Sequence, residues 1–157
     1  MSAQLIHDHA PLGAIVAYAD GTPRPPDRHK RKLADWKTRN DKGRLIGKSP
    51  AVQSGRLDFA VTFTLHRGDY GREGTIFLRV HQTFSVDSTL SFAVLEPPAI
   101  GSILVLNRPG DDAELVYLAA NRLEADDWLT RHGYPDAVLK QVSDDGTLAE
   151  IAEGRVA

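Results

Sequence analysis

Between Leu57 and His66, large apolar side chains alternate with small or polar ones in the run LDFAVTFTLH. A period of two is typical of a strand that buries one face. A second strand-like run, TIFLRVHQTF at residues 75–84, follows a loop that contains three glycines. The two runs predict an antiparallel hairpin at the centre of a sheet, and no other feature of the chain constrains the fold as strongly.

The register of this hairpin is predicted by matching the apolar positions of its two strands. They share one face when His66 lies opposite Thr75, and this register also places Phe63 opposite Leu78. The other face of the hairpin is then predicted to carry Asp58, Thr62, His66, Arg79 and His81.

This polar face is the first candidate site. Histidine can exchange protons near neutral pH, arginine can stabilise a phosphate or an oxyanion, and a carboxylate can orient an imidazole. One hypothesis is therefore a small nuclease or phosphoesterase with His81 as general acid or base, Arg79 as charge stabiliser and Asp58 as orienting carboxylate, beside His66. A face of alternating Thr, Arg and His is also typical of an ordinary solvated sheet surface.

The remaining patterns complete a single α+β domain over residues 1–157, with a largely antiparallel sheet and two helices. In the C-terminal region a strand, a helix and a strand are predicted, and the helix is capped by Asn121 and ends at Gly133. Residues 1–10 are expected to fray. Further strands are predicted by short apolar runs at residues 12–19, 89–95 and 102–107.

Positive charge is concentrated in the segment from Arg24 to Lys48. Ten of the nineteen Lys and Arg residues lie there beside three acidic residues, a formal balance of +7 in a chain whose total is −2. Three prolines precede a helix that we predict from about Asp27 to Gly43. Its cations share one face, and Trp36 on the other face is predicted to be a core anchor beside Leu33.

Such charge asymmetry is typical of a chain that contacts nucleic acid, a membrane or an acidic protein. Our first hypothesis is a binding module for nucleic acid or a nucleoprotein complex, and our second is one for an acidic protein surface. In a third interpretation the cations are solvated, or the acidic C-terminal half neutralises them, with Asp35 bridging Arg31 and Arg39. The predicted phosphate contacts are Arg24, Arg28, Arg31, Lys32, Lys37, Arg39, Lys42, Arg44 and Lys48.

Several classes of site are disfavoured. The chain has no cysteine, which removes disulfides and cysteine nucleophiles, and it lacks glycine-rich phosphate loops and nucleophile elbows, which favours a non-enzymatic protein without a cofactor. His7 and His9 would point the same way in an extended segment, but an incidental pair at a fraying terminus is favoured and no metal site is predicted. Since neither a signal peptide nor a membrane span is indicated, we expect a cytoplasmic protein.

The run LGAIVAYADGTPRPP at residues 12–26, followed by KLADWK at residues 32–37, is similar to small uncharacterised proteins encoded on bacterial mobile elements. The resemblance implies no particular activity and no functional residues. A mobile-element accessory or anti-defence protein belongs to the same physical class as the first hypothesis, with its basic face directed at a nucleoprotein complex.

Overall fold

Three helices and eleven strands are present in the computed structural model, which describes residues 1–144 and 148–153. In chain order they are α1 (Ala3–His9), β1 (Ile15–Ala19), α2 (Lys30–Arg39), β2 (Asp41–Ser49), β3 (Val52–Ser54), β4 (Leu57–Phe59), β5 (Thr62–Arg72), β6 (Thr75–Ser85), β7 (Ser91–Glu96), β8 (Ile103–Leu106), β9 (Leu115–Ala119), α3 (Arg122–His132), β10 (Val138–Val142) and β11 (Leu148–Glu153).

The strands form two main sheets and a short ribbon, and every pairing is antiparallel. The larger sheet has the order β6-β5-β2-β1-β7, the smaller sheet has the order β11-β10-β8-β9, and β3 pairs with β4. The predicted α+β class with largely antiparallel strands is therefore confirmed. The predicted inventory was incomplete, because it lacked α1 and merged the two sheets into one.

The first ten residues pack against the larger sheet through Ala3, Ile6 and Ala10. Ser2 caps α1 by accepting a hydrogen bond from the amide of Leu5, and Ala3 and Ile6 are completely buried against the sheet. The terminal amino group donates to the carbonyl of Phe92 at 2.7 Å. The prediction of a frayed terminus is therefore wrong, because an apolar side of α1 covers the sheet. His7 and His9 lie on a helix, so they do not share the direction expected in an extended segment.

Strand β8 of the smaller sheet is buried on both faces. Helix α3 covers one face through Ala125, Trp128 and Leu129. The opposite face packs against Ile46 of the larger sheet, which explains why all four residues of β8 are buried apolar residues. Asn121 caps α3 by accepting from the amide of Glu124 at 2.9 Å, and Gly133 ends it with φ +65°. Both predicted ends of this helix are confirmed.

The central hairpin forms with a register different from the predicted one. His66 lies opposite His81 instead of Thr75, and Phe63 lies opposite Phe84. The chain turns between β5 and β6 at Glu73 and Gly74, both of which have positive φ (54° and 79°), as a two-residue hairpin turn requires. Most of the predicted glycine-containing loop is therefore strand.

The alternating run at residues 57–66 does not form one continuous strand. Its first part, Leu57–Phe59, is β4 of the short ribbon, and Leu57 and Phe59 are exposed. Asp58 pairs with Gln53 in that ribbon and lies outside the central hairpin. Alternation alone could not distinguish this ribbon from the half-buried strand that follows it.

Helix α2 is shorter than predicted. It begins at Lys30 and ends at Arg39, and the chain then enters β2 between β1 and β5. Gly43 is a strand residue, and a Cβ atom at this position would lie 2.8 Å from the carbonyl oxygen of His66. Gly43 therefore permits a close approach of β2 to β5 and does not stop the helix.

Candidate functional site

Helix α2 stands at the surface, with no buried residue. Only Leu33 and Trp36 are partly buried, and Trp36 belongs to no buried cluster within the described residues. The indole Nε1 of Trp36 donates to the carbonyl of Thr22 at 3.1 Å, and Asn40 donates to the carboxylate of Asp20 at 3.0 Å. The prediction that Trp36 is a core anchor is therefore wrong, because its indole instead holds the helix against the loop at residues 20–22 by a hydrogen bond.

The cations of the basic segment fall into three groups. Arg24 pairs with Asp27 and Arg39 pairs with Asp20, each at 2.9 Å. Arg44 and Lys48 are partly buried in β2. The third group is exposed and has no carboxylate partner in the part of the chain that the structure describes; its members, the open cations, are Arg28, Lys30, Arg31, Lys32, Lys37 and Lys42. Lys30 was missing from the predicted contacts, although it lies in the same basic run.

In the third interpretation the acidic C-terminal half neutralises the basic segment, and this does not occur among the described residues. Arg39 pairs with Asp20 in place of Asp35. Hydrogen bonds from Thr22, and then from Asn40, hold the pKa of Asp20 well below its ordinary value. Acidic residues of the C-terminal half form local pairs with arginines four residues away: Arg108 with Asp112, Arg122 with Asp126 and Arg131 with Asp127. The basic face of α2 is therefore open.

Arg44 and Lys48 do not extend this face. The guanidinium of Arg44 donates to the carbonyl of Gly13 at 2.6 Å, which ties β2 to the chain before β1. Burial lowers the pKa of Lys48. A shallow groove beside α2 is lined instead by Arg24, Trp36, Lys37, Asn40 and Asp41.

The polar face of the hairpin lines a cleft between the two sheets. The rings of His66 and His81 lie edge to face, with centroids 5.5 Å apart and planes at 82°. Asp69 places its Oδ1 at 2.7 Å from His66 Nε2 and at 3.9 Å from Arg79 Nε. The structure thus brings His66, Arg79 and His81 together, and the carboxylate beside them is Asp69 instead of Asp58.

Asp69 was missed in the sequence analysis because this residue lies in the predicted loop with three glycines. A hairpin turn placed at Glu73 and Gly74 would have moved it into β5, opposite Arg79. A β-bulge between His66 and Gly68 shifts the register by one residue and lets His66 and Asp69, three residues apart, lie on the same face.

The other wall of the cleft comes from β9 and α3. Trp128 stacks on Tyr117 with centroids 5.0 Å apart and on His132 at 4.1 Å, with planes within 8° in both cases. Tyr117 donates to Glu124, and this hydrogen bond raises the pKa of Tyr117 and lowers that of Glu124. The cleft has a volume of about 380 Å³ and also contacts Arg44 and Glu114.

Two further properties of the described chain concern metal ions and membranes. Among residues 1–144 and 148–153, no cluster of three or more His, Cys, Asp or Glu side chains is arranged to hold a metal ion. No helix of the described chain has the length and apolar character needed to cross a membrane.

These features define an α+β protein with an open basic helix and a polar cleft between two sheets. A family model described as Uncharacterised conserved protein UCP036055 matches residues 1–146, so the chain belongs to that family. No curated protein and no solved structure matches the chain.

Proposed function

We propose that the protein is a non-enzymatic binding module that contacts nucleic acid, or a nucleoprotein complex, through the open cations of α2. The observation that carries this proposal is their exposure without carboxylate partners in the described chain. A helix with no fully buried residue contributes little to a core. Its placement at the surface therefore suits contact with an external polyanion.

The order of charges along α2 supports the same conclusion. Lys30, Arg31 and Lys32 occupy its first turn, which contains no acidic residue, and His29 at the N-cap makes no side-chain capping bond. Cations at this end oppose the helix dipole by about 0.3–1 kcal/mol each. A bound phosphate would relieve this repulsion, since first-turn amides and cations both attract it.

Binding of this origin is independent of sequence and sensitive to salt. Titration of fluorescently labelled duplex and single-stranded DNA and RNA at low salt tests it. We expect Lys32→Glu and Lys37→Glu to weaken binding, and Arg72→Glu, an exposed arginine at the tip of the hairpin, to leave it nearly unchanged. Absent binding at low salt, or equal effects of all three variants, would contradict the proposal.

An acidic protein partner is the alternative if nucleic acid does not bind in this experiment. Such a partner would contact the same cations. A mobile-element accessory or anti-defence protein directed at a nucleoprotein complex, acting in the cytoplasm, is a specific form of the proposal. In the nuclease or phosphoesterase hypothesis Asp58 was the orienting carboxylate. Asp58 cannot have this role, because it lies in the ribbon of β3 and β4 and outside the central hairpin.

A further inference from the structure

The cleft between the two sheets is separate from the open cations of α2, and its two walls differ in chemistry. The hairpin wall presents Arg79, His66 and His81, and the wall from β9 and α3 presents Tyr117, Trp128 and His132. We propose that this cleft binds a nucleotide, with its phosphate on the hairpin wall and its base on the aromatic wall. This inference does not rest on the proposed function of α2.

Arg79 is the main phosphate ligand on the hairpin wall. Its side chain is about half exposed, and its Nε lies 3.9 Å from Asp69, which is too long for a hydrogen bond. The guanidinium therefore keeps its donors for a bidentate contact with phosphate oxygens. Arg44, already tied to the carbonyl of Gly13, adds a second positive charge to the cleft.

His81 supplies a further donor beside Arg79, and Asp69 holds His66 next to it. Asp69 accepts from His66 Nε2 when that nitrogen carries a proton, and this contact orients the imidazole toward His81. The bulge that brings His66 and Asp69 onto one face is a local distortion of β5, and bulges are over-represented next to functional sites.

The aromatic wall suits a planar base. His132 extends the stack of Tyr117 and Trp128 and is exposed, and its Nδ1 lies 2.8 Å from the carbonyl of Trp128. That contact holds the imidazole parallel to the indole. Trp128 is buried within this stack, so a base would stack on the exposed ring of His132. Such stacking gains affinity without dependence on the identity of the base.

The fixed charges around the cleft balance formally. The arginines are Arg44 on β2 and Arg79 on β6, and the carboxylates are Asp69 on β5 and Glu114 before β9. The cleft therefore has no formal excess of negative charge that would repel a phosphate.

Calorimetric titration of the full chain with AMP, UMP, adenosine, ribose 5-phosphate and inorganic phosphate tests this inference. We expect AMP and UMP to bind, adenosine and ribose 5-phosphate to bind at least about tenfold more weakly, and Arg79→Gln to weaken AMP at least about tenfold. Arg72→Gln on the same hairpin is the matched control, and circular dichroism verifies that each variant is folded.

Three results would overturn the inference. They are no heat with millimolar AMP, equal affinity of AMP and inorganic phosphate, and unchanged AMP affinity in folded Arg79→Gln. His132→Ala provides an independent check, because it should weaken AMP more than ribose 5-phosphate. Arg72→Gln should leave AMP affinity unchanged, so a loss of affinity in Arg79→Gln is attributable to the cleft.

Discussion

Gly43 lies where β2 closely approaches the backbone of β5. A Cβ atom at this position would lie 2.8 Å from the carbonyl oxygen of His66 and 3.0 Å from the Cβ of Leu65. Neither atom belongs to the flexible end of a side chain, so the two strands would have to separate. We predict that Gly43→Ala destabilises the protein and displaces the part of the cleft that contains His66.

The magnitude follows from two opposing effects. Over-packing of a well-packed region costs about 1–3 kcal/mol. Loss of glycine flexibility in the unfolded chain stabilises by about 0.4–1 kcal/mol. The net loss should be about 1–2 kcal/mol, which for a chain of this size lowers the melting temperature by about 2–8 °C.

Gly47 provides a matched control in the same strand. No atom lies within 4 Å of a Cβ built there, so Gly47→Ala should leave the melting temperature unchanged or slightly higher. Thermal unfolding followed by circular dichroism compares both variants with the wild type. A Gly43→Ala variant that melts at or above the wild-type temperature would refute the packing of β2 against β5.

Other substitutions test the core, a helix cap and a carboxylate. Ile6→Ala should cost about 2–5 kcal/mol in urea unfolding, whereas exposed Leu5→Ala should cost little; equal losses would contradict the burial of α1. Asn121→Ala should cost about 1 kcal/mol in the same assay, and no loss would exclude the cap of α3. Because the folded pKa of Asp20 is depressed, its contribution to stability is present above its ordinary pKa of 3.8 and is lost as the pH falls through the folded pKa. Asp20→Asn should make the melting temperature less dependent on pH below about pH 4. The same pH dependence in the variant and the wild type would contradict this origin.

The C-terminal helix was predictable because its determinants are local. Asn121 and Gly133 mark its two ends within a single short segment, and each acts on the backbone beside it. Helix α1 was not predictable in this way. It has seven residues, and its stability comes from packing Ala3 and Ile6 against a sheet whose strands follow much later in the chain.

The hairpin register depended on contacts that a pairwise match of apolar positions does not contain. Phe63 stacks on Phe84 at 5.5 Å and meets Phe92 of β7 at 5.3 Å, so a third strand helps to select the register. The histidines and the arginine on the hairpin wall of the cleft were predicted, but the carboxylate beside them was not. Only the observed turn and the bulge after His66 bring Asp69 beside them.

The salt dependence of nucleic-acid binding tests the open basic helix most directly. Each phosphate neutralised on duplex DNA contributes about −0.9 to the slope of log K against log salt concentration, so contact by all six open cations predicts a slope of about −5.4. Lys32→Glu should make the slope shallower by about 1, while Arg72→Glu should leave it unchanged. A slope near zero, or one that Lys32→Glu does not alter, would contradict the assignment of α2 as the binding surface.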